Sequence, residues 1–184
     1  MPTDELVRSA KKGDRQSLQK LIELHLHIVE RFAFQIGVSR NDVEDVTQEV
    51  FIRVFRFLHQ YSGKTFTTWL YKITLNVARD YFKKLNREKA KAEKIFEQTS
   101  PFERDIEQNI FEKEEDAELH VLIQQLDEKY KVPLVLFYFH DKKIEDIAHI
   151  LSLPVSTVKT RLSRARLQLK KQLQTIRGET NVIR

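Results

Sequence analysis

Residues 143–173 read KIEDIAHILSLPVSTVKTRLSRARLQLKKQL and contain two helical patterns separated by a short break. In the first pattern, apolar residues recur at the spacing of one helix face: Ile144, Ile147, Ala148 and Leu151. The break covers residues 152–155, and Ser156 follows it where an N-cap residue belongs. A second helix with Ser156 as its N-cap residue is therefore predicted.

This second predicted helix is apolar on one side and basic on the others. Its apolar stripe consists of Val158, Leu162, Ala165, Leu169, Leu173 and Ile176. Between Ser156 and Arg177 it has seven basic residues and no acidic one. Two helices joined by a tight turn, the second basic outside and apolar inside, are typical of a DNA-binding helix-turn-helix. The alternative is an ordinary helical hairpin with a solvated face, but such a face usually mixes both signs of charge.

Composition predicts an all-α protein with an anionic partner. Only 4 Gly and 4 Pro occur in 184 residues, which disfavours a turn-rich β fold, and the net charge of +5 favours nucleic acid or another anion. The absence of Cys excludes disulfides and thiolate metal sites and fits a reducing cytoplasm. The N-terminus MPTDELVRSA does not resemble a signal peptide, and no apolar run is long enough to span a bilayer.

Four helices are predicted in the first part of the chain. A short one covers residues 3–12, and a second follows, with Gly37 as its C′ residue and an apolar stripe that includes Leu26. Ser39 and Asp42 form a capping-box variant that opens the third helix. This helix is predicted to place its apolar residues inward, among them Val43, Val46, Val50, Phe51, Val54, Phe55, Phe57 and Leu58. The opposite side of its first turns is acidic.

Thr65 is predicted to cap the fourth helix, which extends to about Leu85 and interleaves aromatic with basic residues. Aromatic rings can stack on unpaired bases while Lys and Arg hold phosphates, which is the pattern of single-strand binding. Each ring taken singly also fits a core position. The candidate nucleic-acid residues that follow this pattern are Trp69, Tyr71, Lys72, Arg79 and Lys83, with Tyr81 as a second candidate for stacking.

An acidic segment separates the two predicted helical domains. Residues 97–118 contain nine acidic and two basic residues, a net charge of −7, so a linker that is extended or partly helical is predicted. Beyond it, Leu119, Leu122, Ile123 and Leu126 restart helical periodicity. Asp127 is predicted to cap the next helix, which starts or kinks near Pro133. The predicted domains are residues 1–86 and 117–177, joined by an acidic linker at 87–116, with a tail at 178–184.

No pattern of catalytic or metal-ligating residues is present in the sequence. The six His residues lack zinc-like spacing, and no Gly-rich phosphate loop occurs. The sequence therefore predicts a protein that is not an enzyme and that has no metal, no cofactor and no small-molecule substrate.

Four stretches together resemble the extracytoplasmic-function group of the sigma-70 family of bacterial RNA polymerase sigma factors. They are KKGD, DVEDVTQEVFIRVFRFL, FTTWLYKITLNVARDYFKK and IEDIAHILSLPVSTVKTRLSRARLQLKK, and they span nearly the whole chain. The sequence Leu126-Asp127-Glu128 departs from the Leu-Pro that the family commonly has. The resemblance implies an initiation subunit that binds core RNA polymerase through the β′ clamp and the β flap, binds promoter DNA, and is controlled by an anti-sigma factor. That partner is often membrane-anchored, so the protein is expected in the bacterial cytoplasm or held at the membrane.

The resemblance also implies roles for particular residues. Polar positions of the second stretch correspond to the surface that docks on the β′ clamp, and they are Asp45, Gln48 and Glu49. In the third stretch, Asn76 corresponds to a position lining the pocket for a flipped base of the minus-ten element, and Trp69 to the aromatic residue of that motif. In the fourth stretch, DNA-facing positions for reading the minus-thirty-five element correspond to Lys159, Thr160, Arg161, Ser163 and Arg164. Ser156, Lys170 and Lys171 complete the candidate set, the two lysines as phosphate contacts.

Two alternatives remain at this point. A stand-alone helix-turn-helix regulator would use its N-terminal domain to sense or dimerise, and an RNA-binding helical protein is the weaker option. A plain regulator needs neither the acidic third helix nor the aromatic and basic fourth helix, so those two helices favour the initiation factor.

Overall fold

The computed structural model describes residues 3–63, 65–95 and 114–180, and these form α-helices, turns and loops without a strand. The predicted all-α class is confirmed. The chain divides into two compact units, Met1–Glu107 and Gln108–Arg184, and the division falls within the predicted linker. The linker itself lies mostly outside the described residues, so its bounds and those of the domains stay predictions.

The first unit contains four helices packed around one core. They are α1 (Thr3–Lys11), α2 (Arg15–Gln35), α3 (Val43–Phe57) and α4 (Phe66–Ile95), with short 3-10 turns at Arg40–Asp42 and Leu58–Gln60. Helix α2 packs against the other three. Completely buried side chains at the centre of this unit come from α2, α3 and α4: Phe32, Val50 and Ala78.

Helix α2 begins and ends with the capping interactions that its sequence favours. At the start, Asp14 accepts a hydrogen bond from the Gln16 backbone N–H through Oδ1 (3.1 Å). At the end, Gly37 has φ +112°, the Gly37 N–H donates to the Phe34 carbonyl, and the Val38 N–H donates to the Ala33 carbonyl. This pair of bonds is a Schellman motif and confirms Gly37 as the C′ residue.

Three apolar residues that were predicted to face the core lie on the surface instead. Leu26 is 40% exposed, Phe55 68% and Phe57 39%. In α2 the buried stripe includes His25, whose ring lies edge-on to Phe66 with centroids 5.1 Å apart. Leu26, the next residue, is turned away by the 100° step of a helix. The prediction was wrong because it made the apolar stripe of each helix wider than the side that is buried in the unit.

The predicted capping box at Ser39 does not form. The Ser39 hydroxyl makes no capping bond to the backbone and instead donates to Oδ2 of Asp42 at 2.5 Å. Asp42 also accepts a hydrogen bond from the Tyr81 hydroxyl at 2.8 Å. The Tyr81 bond ties the start of α3 to α4, and both bonds lower the pKa of the Asp42 carboxyl, the Ser39 bond contributing most.

Helix α4 continues to Ile95, well beyond the predicted end near Leu85. The residues after Leu85 are NREKAKAEKI, which contain no Gly or Pro and are mostly good helix formers. Lys84 and Glu88 form an i,i+4 ion pair at 4.0 Å on this segment. The fading apolar stripe therefore indicated the end of burial and not the end of the helix.

The second unit also contains four helices: α5 (Glu114–Gln124), α6 (Glu128–Tyr138), α7 (Ile144–Leu151) and α8 (Val155–Thr180). Helix α8 packs against the other three. The centre of this unit is formed by fully buried side chains from α6, α7 and α8: Leu136, Ile147, Val158 and Ala165. The predicted α8 stripe is thus buried over its first turns, whereas Leu173 is exposed and the side chain of Ile176 lies outside the described atoms.

Two predicted helix starts in this unit need correction. Helix α6 begins at Glu128 and includes Pro133 in its interior; Asp127 is its N-cap residue but makes no side-chain capping bond. Helix α8 begins at Val155, so Ser156 is its second residue and not the N-cap. The Pro154 carbonyl accepts the first helical bond, from the Val158 N–H at 3.2 Å. Because proline has no N–H to leave unsatisfied, it is suited to that boundary.

Candidate nucleic-acid interfaces

Five of the six candidate residues on α4 share one side of that helix. Trp69, Lys72, Asn76, Arg79 and Lys83 follow one another at intervals of three and four residues, which is helical spacing. Asn76 and Lys83 are exposed, and the other three are partly buried. The structure therefore brings an amide, an aromatic ring and three cations onto one surface.

Trp69 forms the outer edge of an aromatic cluster. Its ring centroid lies 5.1 Å from that of Tyr61 and 5.8 Å from that of Phe66, both of which are buried. The backbone of Tyr61 is held by a hydrogen bond from the Lys11 side chain, whose Nζ donates to the Tyr61 carbonyl oxygen at 2.7 Å. Trp69 thus has one side packed on this cluster and remains partly open to solvent.

Tyr71, the remaining candidate on α4, cannot stack on a base. Its side chain is 3% exposed and its ring lies edge-on to Phe32, with centroids 5.0 Å apart and an interplanar angle of 85°. Burial raises the pKa of Tyr71 to about 12. Tyr71 lies two residues from Trp69 and therefore on another side of the helix, and its assignment as a nucleic-acid contact was wrong.

On α3, the three predicted polymerase-binding residues differ in their surroundings. Asp45 and Gln48 are exposed. Glu49 is partly buried, and its Oε1 accepts a hydrogen bond from Arg53 Nε at 2.8 Å. Glu49 therefore forms an ion pair within α3, in addition to any contact that it makes with a partner.

Two apolar residues extend the surface of Asp45 and Gln48. Ile52 is 50% exposed and Phe55 is 68% exposed. Ile52 lies seven residues after Asp45, and Phe55 seven residues after Gln48, so each falls two turns along the same side of α3. This seven-residue spacing was the signal in the sequence that could have identified them.

On α8, the candidate DNA contacts form an exposed polar face opposite the core. The exposed members are Ser156, Lys159, Thr160, Ser163, Arg164, Lys170 and Lys171. Arg161 is partly buried at the edge of this face. The Thr160 hydroxyl donates to the Ser156 carbonyl at 3.0 Å, so its proton is used within the helix and its oxygen can only accept from another group.

Leu167, which the sequence did not single out, is also on this polar face and is 54% exposed. It lies three residues after Arg164 and four residues after Ser163, at the spacing of neighbours on a helix surface. An apolar side chain is thus surrounded by the polar and basic residues of α8.

Within the ranges that the structure describes, no helix is both long and apolar enough to cross a bilayer. In the same residues, no group of three His, Asp or Glu side chains is placed to hold a metal ion.

In the second unit, helix α7 is followed after a tight turn by the basic helix α8. With the separate first unit, this arrangement defines a helix-turn-helix DNA-binding protein built from two helical units. Profiles of known families refine this class: sigma-70 region 2 matches residues 21–88, and sigma-70 region 4 matches residues 116–169. The RNA polymerase sigma-H factor of Pseudomonas aeruginosa is 31% identical over 95% of both chains. The extracytoplasmic-function factor SigW of Bacillus subtilis is 29% identical over 92% of this chain and 96% of its own.

Solved structures agree with the fold. CnrH, determined in complex with the cytosolic domain of CnrY, superposes with a TM-score of 0.72 at 24% identity, covering 92% of this chain and 96% of the other. The sigma factor RpoE of Bartonella quintana, determined in complex with the anti-sigma factor NepR, gives a TM-score of 0.68 at 20% identity over 85% and 96% of the two chains.

The chain belongs to the sigma-70 family, in its extracytoplasmic-function group. Sigma factors act in promoter-specific transcription initiation, bind core RNA polymerase and promoter DNA, and have no enzymatic activity of their own. The family therefore confirms the predicted class and excludes the stand-alone regulator and the RNA-binding protein.

Proposed function

We propose that the chain reads a minus-thirty-five element as duplex with α8 and opens a minus-ten element with α4, while α3 docks on core RNA polymerase. The observation that carries this proposal is the polar and basic face of α4. It lies on the surface of the first unit, and a protein that binds only duplex DNA does not need it.

For strand opening, the face of α4 offers the three kinds of contact that an unpaired strand requires. Asn76 can donate to and accept from a base edge, Lys72, Arg79 and Lys83 can hold phosphates, and Trp69 presents a partly exposed ring. Extruding a base from the stack costs a few kcal/mol, which such contacts must offset.

For duplex reading, the exposed residues near the start of α8 are suited to enter the major groove, as the recognition helix of a helix-turn-helix does. Arg164 is the residue best suited to a bidentate contact with guanine. Lys170 and Lys171 lie further along the helix, where phosphate contacts are expected.

For polymerase docking, the proposed surface on α3 combines Asp45, Gln48, Glu49, Ile52 and Phe55. Aromatic side chains are enriched at protein interfaces, and a few such anchors contribute most of the binding energy, so the exposed Phe55 is suited to the centre of this surface. We propose the β′ clamp as the partner of α3 and the β flap as the partner of the second unit.

We further propose that an anti-sigma factor controls the chain, since RpoE of Bartonella quintana was determined with the anti-sigma factor NepR bound. The chain would then act in the cytoplasm and could be held at the membrane through that partner.

Run-off transcription with purified core polymerase tests the function directly. Specific initiation on a cognate promoter is expected only when the chain is added, and permanganate should modify thymines of the minus-ten element in the resulting complex. Specific binding without reactive thymines would refute strand opening while leaving duplex reading intact.

A further inference from the structure

Lys11 joins α1 to the segment between α3 and α4 through a polar contact. It belongs to the stretch KKGD at residues 11–14, in which Asp14 caps α2 and Gly13, with φ +93°, makes the turn between α1 and α2. Lys11 has neither of these roles. Its Nζ donates to the Tyr61 carbonyl at 2.7 Å, and the Tyr61 N–H donates to a carbonyl of the preceding 3-10 turn at 3.1 Å. Both backbone polar groups of Tyr61 are therefore held.

The ring of Tyr61 is buried next to Trp69. Tyr61 is 8% exposed, and its ring centroid lies 5.1 Å from that of Trp69 and 5.9 Å from that of Phe66. Gly63 leaves room for this ring, because a Cβ added at that residue would lie 2.9 Å from Cε2 of Tyr61. The backbone bond from Lys11 and the absence of a side chain at Gly63 thus both favour the observed position of the ring on which Trp69 packs.

Apolar packing attaches α1 to the first unit independently of Lys11. The buried side chains of this helix are Leu6 and Val7, and the helix packs along α2. Lys11 and the next residue, Lys12, are both exposed. The Lys11 bond therefore contributes more to the position of Tyr61 than to the attachment of α1, and Lys12 is a neighbouring cation that does not make this bond.

We propose that Lys11 is a positioning residue for strand opening: through Tyr61 it fixes the ring of Trp69, on which an unpaired base stacks. This inference rests on the proposed function of the α4 face. A ring that is fixed before binding loses less conformational freedom when a base stacks on it, so the strand binds more tightly. The alternative role for Lys11 is a direct contact with a DNA phosphate, and the salt dependence of binding separates the two.

Trp69 is the only tryptophan in the sequence, so its fluorescence in the free full chain reports on this site alone. Lys11→Met removes the donor and keeps an apolar stem, and it should lower the anisotropy of Trp69 and shift its emission to the red. Lys12→Met is the matched control and should leave both unchanged. Lys11→Arg keeps a donor and a charge and should resemble the wild type. Unchanged fluorescence of Lys11→Met would show that the bond does not position the ring and would refute the inference.

Strand affinity is then measured with the full chain bound to core polymerase. The probe is a labelled unpaired strand selected from a random pool on the wild-type complex. Trp69→Leu keeps an apolar side chain and removes the aromatic ring, and it should weaken binding by about fivefold or more. Lys11→Met should reproduce part of this loss, about two- to fivefold, and Lys12→Met should not. In the Trp69→Leu background, Lys11→Met should have no further effect.

The dependence of this affinity on salt concentration tests the alternative role of Lys11. Each phosphate contact with a single strand contributes about 0.7 to the slope of the logarithmic plot, so a direct contact predicts that Lys11→Met lowers the slope by that amount. A positioning role predicts an unchanged slope, because no charge leaves the interface. A slope lowered by about 0.7, or an equal loss of affinity with and without the Trp69 ring, would overturn the inference.

Failure of the positioning role can be distinguished from failure of the proposed function. If no unpaired strand can be selected, the strand-opening function fails and this inference fails with it. If Asn76→Ala weakens strand binding and Trp69→Leu does not, the strand-binding face of α4 stands and only the positioning role is refuted. Equal losses of affinity for Lys11→Met and Lys12→Met would also refute it, because they would reflect a general attraction of the strand to positive charge.

Discussion

Nη1 of Arg53 lies 2.9 Å from Oδ2 of Asp80 and thereby joins α3 to α4. The same guanidinium donates from Nε to Oε1 of Glu49 at 2.8 Å. The bond to Glu49 is the larger cause, and the bond to Asp80 a smaller one, of the raised pKa of Arg53. Arg53 thus connects a proposed polymerase contact with the helix proposed to open DNA.

The first prediction is that Glu49 contributes to stability and Gln48 does not. Glu49→Ala should lower the free energy of unfolding by about 0.2–1 kcal/mol, the usual range for partly exposed pairs. Gln48→Ala is the control and should leave it unchanged. In an Arg53→Met background the effect of Glu49→Ala should disappear. An equal effect in both backgrounds, measured by denaturant unfolding, would show that the pair does not stabilise the unit.

The second prediction concerns polymerase docking by α3. Phe55→Ala should weaken binding to core polymerase by about 1 kcal/mol or more, because an exposed aromatic residue at an interface centre loses its contact area. Its thermal stability should change little, since Phe55 is mostly solvated.

Phe57→Ala is the matched control for this experiment. Phe57 is the same residue type two positions further along and is 39% exposed, on another side of α3. It should reduce stability more than Phe55→Ala does, yet spare the affinity for polymerase. If a binding titration showed that Phe57→Ala weakens binding to core polymerase and Phe55→Ala does not, the proposed docking face would be excluded.

The third prediction concerns strand opening. Asn76→Ala should slow formation of the open complex and leave closed-complex binding nearly intact, because closed-complex binding is expected to depend mostly on the second unit. Permanganate reactivity of promoter thymines measures the opened fraction. Asn86→Ala changes another exposed Asn of α4, about 15 Å further along the helix axis, and it should open DNA normally. Normal opening by Asn76→Ala would remove that residue from the site.

The fourth prediction separates base reading from phosphate binding on α8. Arg164→Ala should cost about 1–3 kcal/mol on the cognate element and relax preference at one base pair. Substitution of Lys170 or Lys171 by Ala should weaken binding about equally on all sequences and reduce the salt slope by about one per residue. A uniform loss across sequences for Arg164→Ala as well would show that it contacts only the backbone.

The fifth prediction is a pH dependence caused by Asp42. Its pKa is lowered below the ordinary value of 3.8 by the Ser39 and Tyr81 hydroxyls, so folding favours the ionised form. The stabilisation is complete above pH 3.8 and is lost as the pH falls through the lowered pKa. The Asp42→Asn variant should therefore be less stable than the wild type at neutral pH. As the pH falls, the difference in stability between the two proteins should become smaller.

Tyr81→Phe provides the control for Asp42, because it removes one of the two donors and keeps the carboxyl. Its loss of stability on acidification should be smaller than that of the wild type but not absent. Thermal unfolding between neutral pH and pH 3 measures all three proteins. Parallel curves for the wild type and Asp42→Asn would mean that other carboxylates determine the acid sensitivity.

The sequence by itself determined the helical class, the order of the helices, the helix-turn-helix and the family. These follow from apolar periodicity and from helix-ending residues such as Gly37, which act within a few residues along the chain. The polar faces of α4 and α8 could also be predicted, because spacings of four and seven residues place Lys159 with Ser163, or Asn76 with Lys83, on one side of any regular helix.

Only the tertiary structure decided which apolar residues are buried and which polar residues are held by partners. Phe55 was predicted to face the core and Tyr71 to contact nucleic acid, but Phe55 is solvated and Tyr71 packs on Phe32. Likewise, the pairing of Arg53 with Asp80 joins residues 27 positions apart. Such contacts depend on how α2, α3 and α4 pack against one another, and the periodicity of a single helix contains no information about its neighbours.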